Sequence, residues 1–132
     1  MGAASGRRVA LAIAWGRVAI GGAALVAPLA LARPWVGDAV DTTSVKLLAR
    51  ALGGRDLALG VGTLRALARS DEEARPWVAL AGMSDAVDAL VTVVAFGRLS
   101  PWTRWVVLGA SVGAAVASIR AASVLDLLAA AE

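Results

Sequence analysis

The segment WVALAGMSDAVDALVTVVAF, residues 77–96, decides the fold of this chain, because it has the length and composition of a membrane-spanning helix. Two carboxylates, Asp85 and Asp88, lie near its middle, one helical turn apart. An ionisable group at membrane depth is unfavourable by roughly 2.5 to 3.5 kcal/mol on insertion scales, so it usually faces a protein interior or a water-filled cavity. The segment therefore predicts a membrane helix whose polar face is turned towards other helices.

The composition of the whole chain also indicates a membrane protein. Its 132 residues are 59% hydrophobic and 17% charged, and the mean hydropathy is +0.74. At about 20 residues for each span, a chain of this length has room for four spans and for little else. We therefore predict an all-α integral membrane four-helix bundle in which residues 1–132 form a single domain.

The four predicted spans differ in how well they fit a membrane. They cover residues 9–31, 46–66, 77–96 and 102–119, or a longer stretch for the last. Pro28 interrupts the first span late, and this span is too long for the apolar region of a signal peptide, so we expect it to be retained. The second span is the weakest because it contains Arg55 and Asp56. We expect it to cross with its polar face buried; the alternative is a re-entrant segment around Gly53 and Gly54.

Capping signals mark the ends of the third span. Ser70 and Glu73 fit a capping box before it, and Pro76 is a second possible start. After it, Gly97 is a candidate for the C′ position, where a left-handed backbone ends many helices. Ser100, which is followed by a proline, predicts the N-cap of the fourth span.

Missing residue types restrict the possible chemistry. The chain has no His, no Cys and no Tyr, which excludes thiolate catalysis, disulfides and the usual haem and zinc ligands. We expect no cofactor and no metal, and only Asp, Glu, Lys, Arg, Ser and Thr remain as acids, bases or nucleophiles. The thirteen basic residues are scattered and form no basic stripe, so we expect no nucleic-acid partner.

The distribution of basic residues predicts the orientation in the membrane. In a four-span topology, more of them fall on the side of the two termini than on the opposite side. The two sets are Arg7, Arg8, Arg65, Arg69, Arg75 and Arg120 against Arg33, Lys46, Arg98 and Arg104. By the positive-inside rule, both termini of this multi-pass protein are expected in the cytoplasm, with the chain in the plasma membrane.

Charged residues inside three of the spans are expected at one depth. With a helical rise of about 1.5 Å per residue, they all lie about 12 to 16 Å from the cytoplasmic boundary. The set is Arg17, Arg55, Asp56, Asp85 and Asp88, and Ser111 of the fourth span reaches a similar level. Full ionisation would leave a net charge of minus one in a low-dielectric place, so we expect one carboxyl to keep its proton.

A protonated carboxyl beside a carboxylate, with Arg to orient both, is the composition of a general acid/base site. We predict that Asp56 and Asp88 are the acid and the base, in unspecified order, and that Arg55 orients them. Asp85 and Arg17 support this pair. The candidate substrate-binding residues are Trp15, Ser111 and Thr92. The alternative is a structural salt-bridge network that holds the second span in place.

Two short motifs carry a resemblance to a known family. The stretch Arg55-Asp56-Leu57-Ala58-Leu59-Gly60, followed by Asp85-Ala86-Val87-Asp88 in the next span, resembles a family of small four-helix bacterial integral membrane proteins of unknown function. The resemblance covers most of the chain and implies the four-helix fold, a bacterial membrane and the choice of these residues. It implies nothing about the chemistry.

By residue type alone, the Asp, Arg, Asp set is similar to that of the water-soluble limonene-type epoxide hydrolases. In those enzymes one carboxylate activates water, one carboxylic acid protonates the epoxide oxygen and Arg holds both. The fold is unrelated, so the similarity is one of convergence. We therefore predict a membrane-embedded enzyme that opens an epoxide, by hydrolysis or by intramolecular cyclisation, on a lipophilic small molecule taken from the bilayer. The rivals are a proton- or cation-coupled transporter and a non-catalytic accessory subunit.

A seam of small residues lies in the fourth span. Gly109, Gly113 and Ala117 recur at four-residue spacing, which lets another helix approach closely. We expect the seam to pack within the chain; the alternative is a homodimer interface.

Overall fold

The structure is a computed structural model that describes residues 3–36, 42–99 and 101–129, with the side chains of residues 5–34, 42–99 and 101–125. Five α-helices follow one another: α1 Ala3–Val26, α2 Pro28–Val36, α3 Thr43–Leu67, α4 Asp71–Val94 and α5 Pro101–Ala129. A short 3-10 turn, Phe96–Arg98, joins α4 to α5. The described part of the chain is thus all-helical, as predicted, with one short helix in addition to four long ones.

The four long helices pack as a ring of antiparallel neighbours. Helix α1 contacts α3 and α5, and α4 contacts the same two helices, so α1 and α4 occupy opposite corners. Helix α2 lies against α3, at the end of the bundle where α1 ends and α3 begins. We call this the cleft end, for the cavity described below, and the other the closed end.

Side chains cap the helices that the sequence marked. Oγ1 of Thr42 accepts a hydrogen bond from the backbone N–H of Val45 at 3.3 Å and begins α3. Oγ of Ser70 accepts from the N–H of Glu73 at 3.0 Å and begins α4, which confirms this half of the predicted capping box. Pro76, the second predicted start, lies inside α4.

The predicted interruption of the first span at Pro28 is confirmed, one predicted boundary is wrong, and another lies beyond the described residues. The first span divides at Ala27 into α1 and α2, because a residue before proline disfavours helical backbone and Pro28 is well suited to the first position of a new helix. Helix α4 ends at a C-cap, Ala95, with right-handed backbone, and Gly97 lies within the 3-10 turn rather than at a left-handed C′ position. The predicted N-cap Ser100 lies outside the described residues.

The distribution of apolar side chains is the reverse of that in a water-soluble domain. The buried hydrophobic residues are mostly Ala, whereas large apolar side chains point outwards, with Val26 85% exposed and Leu48 64% exposed. Three helical stretches are long and apolar enough to cross a membrane: Ser5–Val26, Asp71–Val94 and Pro101–Leu125. Helix α3, predicted as the weakest span, is not among them.

Small residues bring α1 and α3 into close contact. A Cβ added to Gly21 would lie 2.5 Å from the carbonyl oxygen of Gly53, and one added to Gly53 would lie 2.6 Å from Cβ of Ala24. One turn beyond the site described below, a Cβ on Gly60 would lie 2.7 Å from the carbonyl oxygen of Ala14. The two backbones therefore touch above and below the charged residues of α3, which fixes the position of those residues against α1.

An apolar cluster fills the closed end of the bundle. It consists of Ala10, Ala66, Leu67, Ala74, Val78, Ala121, Ala122 and Leu125, drawn from all four long helices. Outside it, Nη2 of Arg7 donates to the carbonyl oxygen of Leu67 at 2.8 Å, and Nη1 contacts Asp71. Apolar side chains therefore fill this end of the bundle, and the contacts of Arg7 hold the start of α1 against the turn between α3 and α4.

Candidate functional site

Arg17 crosses the interior of the bundle from the middle of α1. It is 6% exposed, and its Nη1 lies 2.6 Å from Oδ1 of Asp56 on α3. Its Nη2 donates to the carbonyl oxygen of Ala81 at 2.9 Å and lies 2.6 Å from Oδ1 of Asp85, both on α4. Because α1 and α4 stand at opposite corners of the ring, this side chain connects two helices that otherwise barely meet.

Arg55 joins the two carboxylates that were predicted as acid and base. Its Nη1 donates to Oδ1 of Asp88 at 3.0 Å and its Nη2 to Oδ2 of the same residue at 2.7 Å, a bidentate pair between α3 and α4. Nη2 also donates to Oδ1 of Asp56 at 3.2 Å. All five predicted charged residues therefore meet in one network, which confirms the predicted convergence of α1, α3 and α4.

The carboxyl oxygens of this network are not equivalent. Oδ1 of Asp56 receives both guanidinium groups, while its Oδ2 accepts no hydrogen bond from the described residues. Both oxygens of Asp88 are held by Arg55. Oδ2 of Asp85 is buried and has no hydrogen-bond partner among the described residues. Two guanidinium groups face three carboxyl groups. Fully ionised, the network would carry one net negative charge, so it can take up one proton.

A cleft of about 420 Å³ leads to this network from the cleft end of the bundle. Its inner end is formed by Arg55, Asp56 and Asp88, whereas Arg17 and Asp85 lie outside its lining. Its walls are apolar side chains from four helices: Ile20, Ala24, Leu31, Ala32, Val45, Leu48, Ala49, Leu52, Gly53 and Val91. An apolar cavity of this size with a few polar groups at one place is typical of a small-molecule site.

The three predicted substrate-binding residues do not line the cleft. Trp15 is 61% exposed on the outer surface of α1, one turn nearer the closed end than the cleft residues. Ser111 is buried on α5, a helix that contributes nothing to the lining. Thr92 is buried and its Oγ1 donates to the carbonyl oxygen of Asp88 at 2.7 Å. The predicted depth in the membrane does not distinguish side chains that face the cleft from neighbours that face lipid or another helix.

The small-residue seam of α5 is not used within the chain. A Cβ added to Gly109 or Gly113 would meet nothing within 4 Å, and both residues are exposed. The expectation that this seam packs inside the chain is therefore wrong. The buried face of α5 carries Val107, Ser111 and Ala115 instead.

Sequence reasoning missed the apolar lining of the site. Ile20 follows Arg17 by three residues, Val91 follows Asp88 by three, and Leu52 precedes Asp56 by four, so each shares a helix face with a predicted charged residue. That spacing is the signal that could have found them. For a metal, the described residues offer no group of three or more His, Cys, Asp or Glu side chains arranged to hold one.

Comparison with known proteins gives no further assignment: the chain matches no protein-family model, no curated protein and no solved structure. The resemblance to small four-helix bacterial membrane proteins thus stays a prediction from two motifs.

Proposed function

We propose that this protein is a membrane-embedded enzyme that opens an epoxide on a lipophilic small molecule by acid/base catalysis. Asp56 is the base, Asp88 is the acid and Arg55 orients both. Arg17 and Asp85 are positioning residues that act through Asp56. No metal or organic cofactor takes part in the proposed reaction.

The observation that supports this proposal is the Asp, Arg, Asp arrangement at the inner end of an apolar cleft. Arg55 contacts Asp56 and Asp88 at the same time, and these are the three charged residues of the lining. A carboxylate with one unengaged oxygen, Oδ2 of Asp56, is suited to accept a proton from water. Asp88 is the other carboxyl group of the lining, and in this proposal it carries the extra proton of the network and donates it to an epoxide oxygen.

The proposed reaction balances without any other reactant. Oδ2 of Asp56 takes a proton from a water molecule while the water oxygen attacks one epoxide carbon. The bond from that carbon to the epoxide oxygen breaks, and protonated Asp88 gives its proton to that oxygen, which yields a diol. A proton then returns from Asp56 to Asp88. If a hydroxyl of the substrate replaces water, the product is a cyclic ether.

The same proposal places the four long helices across a bacterial plasma membrane. Three helical stretches satisfy the length and hydropathy of spans, and α3 turns Arg55 and Asp56 onto partners of α1 and α4, which lowers the penalty of placing charge in the bilayer. Arg50 also lies at the cleft end, where its side chain donates to the carbonyl oxygen of Leu25. With Arg50 included, the bias of six basic residues against five still favours cytoplasmic termini.

A transporter is less well supported by the geometry. Alternating access needs a path from the charged site to both faces of the membrane. Here the apolar cluster around Leu67 and Leu125 fills the bundle on one side of the site, whereas the cleft lies on the other side.

The central test is turnover of a panel of apolar epoxides by purified protein in detergent. We expect Asp56→Asn and Asp88→Asn to lower kcat by about a hundredfold or more, which is typical for loss of a general acid or base. Glu72→Gln is the matched control, because Glu72 is an exposed carboxylate outside the site. Absence of turnover in the wild type, or unchanged turnover in both variants, would contradict the proposal.

A charge-swapped variant separates catalysis from structural support. In Arg55→Asp combined with Asp88→Arg, an ion pair between α3 and α4 is retained, but the acid is displaced. We expect this double variant to recover much of the thermal stability lost by either single substitution, with no recovery of turnover. Equal recovery of both properties would show that the pair is only structural.

A further inference from the structure

We propose that the ligand of the cleft is a single-chain anionic amphiphile, which rests on the proposed function and specifies its substrate class. The chain occupies the cleft, the epoxide lies at Arg55, Asp56 and Asp88, and the acidic head group lies between Lys46 and Arg50 at the outer end. The substrate class is therefore that of long-chain epoxy acids.

The length of the cleft indicates a chain. Its lining on α3 runs from Val45 to Asp56, a separation of eleven positions along one helix. At a rise of about 1.5 Å per residue, these positions are about 16 Å apart. A compact molecule would leave most of this length empty.

The size of the cleft favours a single chain. Its volume of about 420 Å³ is near the lower end of the range of about 300 to 1,000 Å³ for small-molecule sites. Spread over a length of about 16 Å, this space suits one chain rather than a lipid with a pair of acyl chains.

A second concavity lies beside the outer end of the cleft and carries positive charge. It has a volume of about 370 Å³ and is lined by residues 27–30, Lys46 and Arg50. Nε of Arg50 donates to the carbonyl oxygen of Leu25 at 3.2 Å, which holds this side chain at the end of α1. Lys46 directly follows the cleft residue Val45. A carboxylate or a phosphate is the group that these two cations complement.

This concavity lies at the level where a head group is expected. It adjoins Val26, where a stretch suited to span a membrane ends. Exposed Trp102 and Trp105 lie near the start of α5, at the same end of the bundle. Tryptophan is enriched at the boundary between lipid and water, so this end is expected at the membrane surface. The cleft then runs from the head-group level into the bilayer.

The cleft is exposed along one side, through which a single-chain amphiphile can enter from the lipid. Ile20, Leu48 and Val91 line the cleft and are at the same time 55%, 64% and 60% exposed. In a bilayer these exposed edges face lipid, so a chain can enter sideways without leaving an apolar environment.

The spacing between the two cations and the acid/base pair sets the position of the epoxide. Asp56 follows Lys46 by ten residues and Arg50 by six, which corresponds to about 15 and about 9 Å. An extended chain advances about 1.2 Å per bond, since a peptide unit of three bonds spans about 3.5 Å. The epoxide is therefore expected about 8 to 12 bonds from the head group.

The expected distance between the head group and the epoxide can be tested with a positional series of substrates, using the full chain in nanodiscs. The substrates are long-chain acids with the epoxide about 6, 9, 12 or 15 carbons from the carboxylate. We expect kcat/KM to be highest for the two middle positions and lower by at least about tenfold for the outer two, since a misplaced reacting group loses orientation. Equal kcat/KM along the series, or a preference for compact cyclic epoxides, overturns the inference while the proposed reaction stands.

A comparison of each acid with its methyl ester tests the head-group site. In the wild type we expect the acid to have a KM about tenfold lower than the ester, and in Lys46→Gln combined with Arg50→Gln we expect this preference to disappear. Arg98→Gln is the control, an exposed cation at the same end of the bundle, and it should keep the preference. Equal KM values for acid and ester in the wild type contradict the head-group site.

Binding of an unreactive ligand makes the inference testable even if no epoxide is opened. Native mass spectrometry can measure how much saturated long-chain acid the protein retains, compared with its methyl ester. Ala49→Phe fills the cleft and should abolish retention, whereas Ala51→Phe, on an exposed position of the same helix, should not. Retention of the acid that depends on Ala49, Lys46 and Arg50 supports the ligand class without any turnover. Equal retention in all variants overturns it.

Discussion

Arg55 and Asp88 are joined by two hydrogen bonds, of 3.0 and 2.7 Å, that connect α3 to α4 at the inner end of the cleft. The guanidinium of Arg55 keeps a third contact for Asp56, at 3.2 Å. One planar group thus fixes the separation and the orientation of two carboxyl groups, which is the property that the proposed chemistry requires.

Arg55→Lys should separate charge from geometry. Lysine keeps the positive charge but cannot make a bidentate contact to Asp88 while also reaching Asp56. We expect a loss of stability of about 1 to 2 kcal/mol and a fall in kcat of tenfold or more, measured by thermal unfolding in detergent and by turnover of an apolar epoxide. A kcat equal to that of the wild type would show that the bidentate geometry of Arg55 does not matter for turnover.

Arg17 should be the most sensitive position of the network. Arg17→Met removes a buried cation with two carboxylate partners and leaves the carbonyl of Ala81 without its donor. Breaking a buried ion pair from one side usually destabilises by about 3 to 5 kcal/mol. Arg98→Gln, at an exposed position, should change stability by less than about 0.5 kcal/mol. Similar unfolding temperatures for the two variants would contradict the role assigned to Arg17.

The adjacent glycines Gly53 and Gly54 should respond in opposite directions to alanine. A Cβ on Gly53 would lie 2.6 Å from Cβ of Ala24, so Gly53→Ala must push α1 and α3 apart, with an expected loss of about 1 to 3 kcal/mol. A Cβ on Gly54 meets nothing within 4 Å, so Gly54→Ala should gain about 0.5 to 1 kcal/mol from helix propensity. Equal effects on the unfolding temperature would argue against the tight contact between α1 and α3.

Single cysteines can decide whether α3 crosses the membrane. The chain has no native Cys, so Thr42→Cys and Arg69→Cys each introduce one thiol, at the two ends of α3. In intact cells we expect a membrane-impermeant maleimide to label Thr42→Cys and to leave Arg69→Cys unlabelled until the cells are broken. The same labelling at both sites before lysis would favour a re-entrant α3.

Trp15 should be dispensable for turnover. It was predicted to bind substrate, but it points away from the bundle and does not line the cleft. Trp15→Leu should therefore leave kcat/KM within about twofold of the wild type, whereas Leu52→Trp, which fills the cleft, should lower it by at least about tenfold. A large loss in Trp15→Leu would place the substrate elsewhere.

The sequence alone was sufficient to predict which charged residues meet. Arg17, Asp85 and Asp88 are conspicuous because isolated charges in apolar segments are rare, and antiparallel helices of known rise place them at one depth. The helical class and the cap at Ser70 follow from equally local rules.

The cleft could not be predicted in the same way. Leu48 and Val91 line it, yet they are the same residue types as those that face lipid, so composition does not distinguish the two surfaces. Its outer wall depends on the break at Ala27, which returns α2 against α3. The length of α2 and its packing are tertiary properties that Pro28 makes possible without specifying.

The apolar cluster at the closed end also determines how material is exchanged with the surroundings. Because Leu67 and Leu125 are fully buried there, the compartment that contains Asp56 is blind-ended. In the proposed orientation, with cytoplasmic termini, the cleft opens towards the outer leaflet. The proposed enzyme would then meet a substrate made in the inner leaflet only after that substrate had crossed the bilayer, and it would release its product on the external side of the membrane.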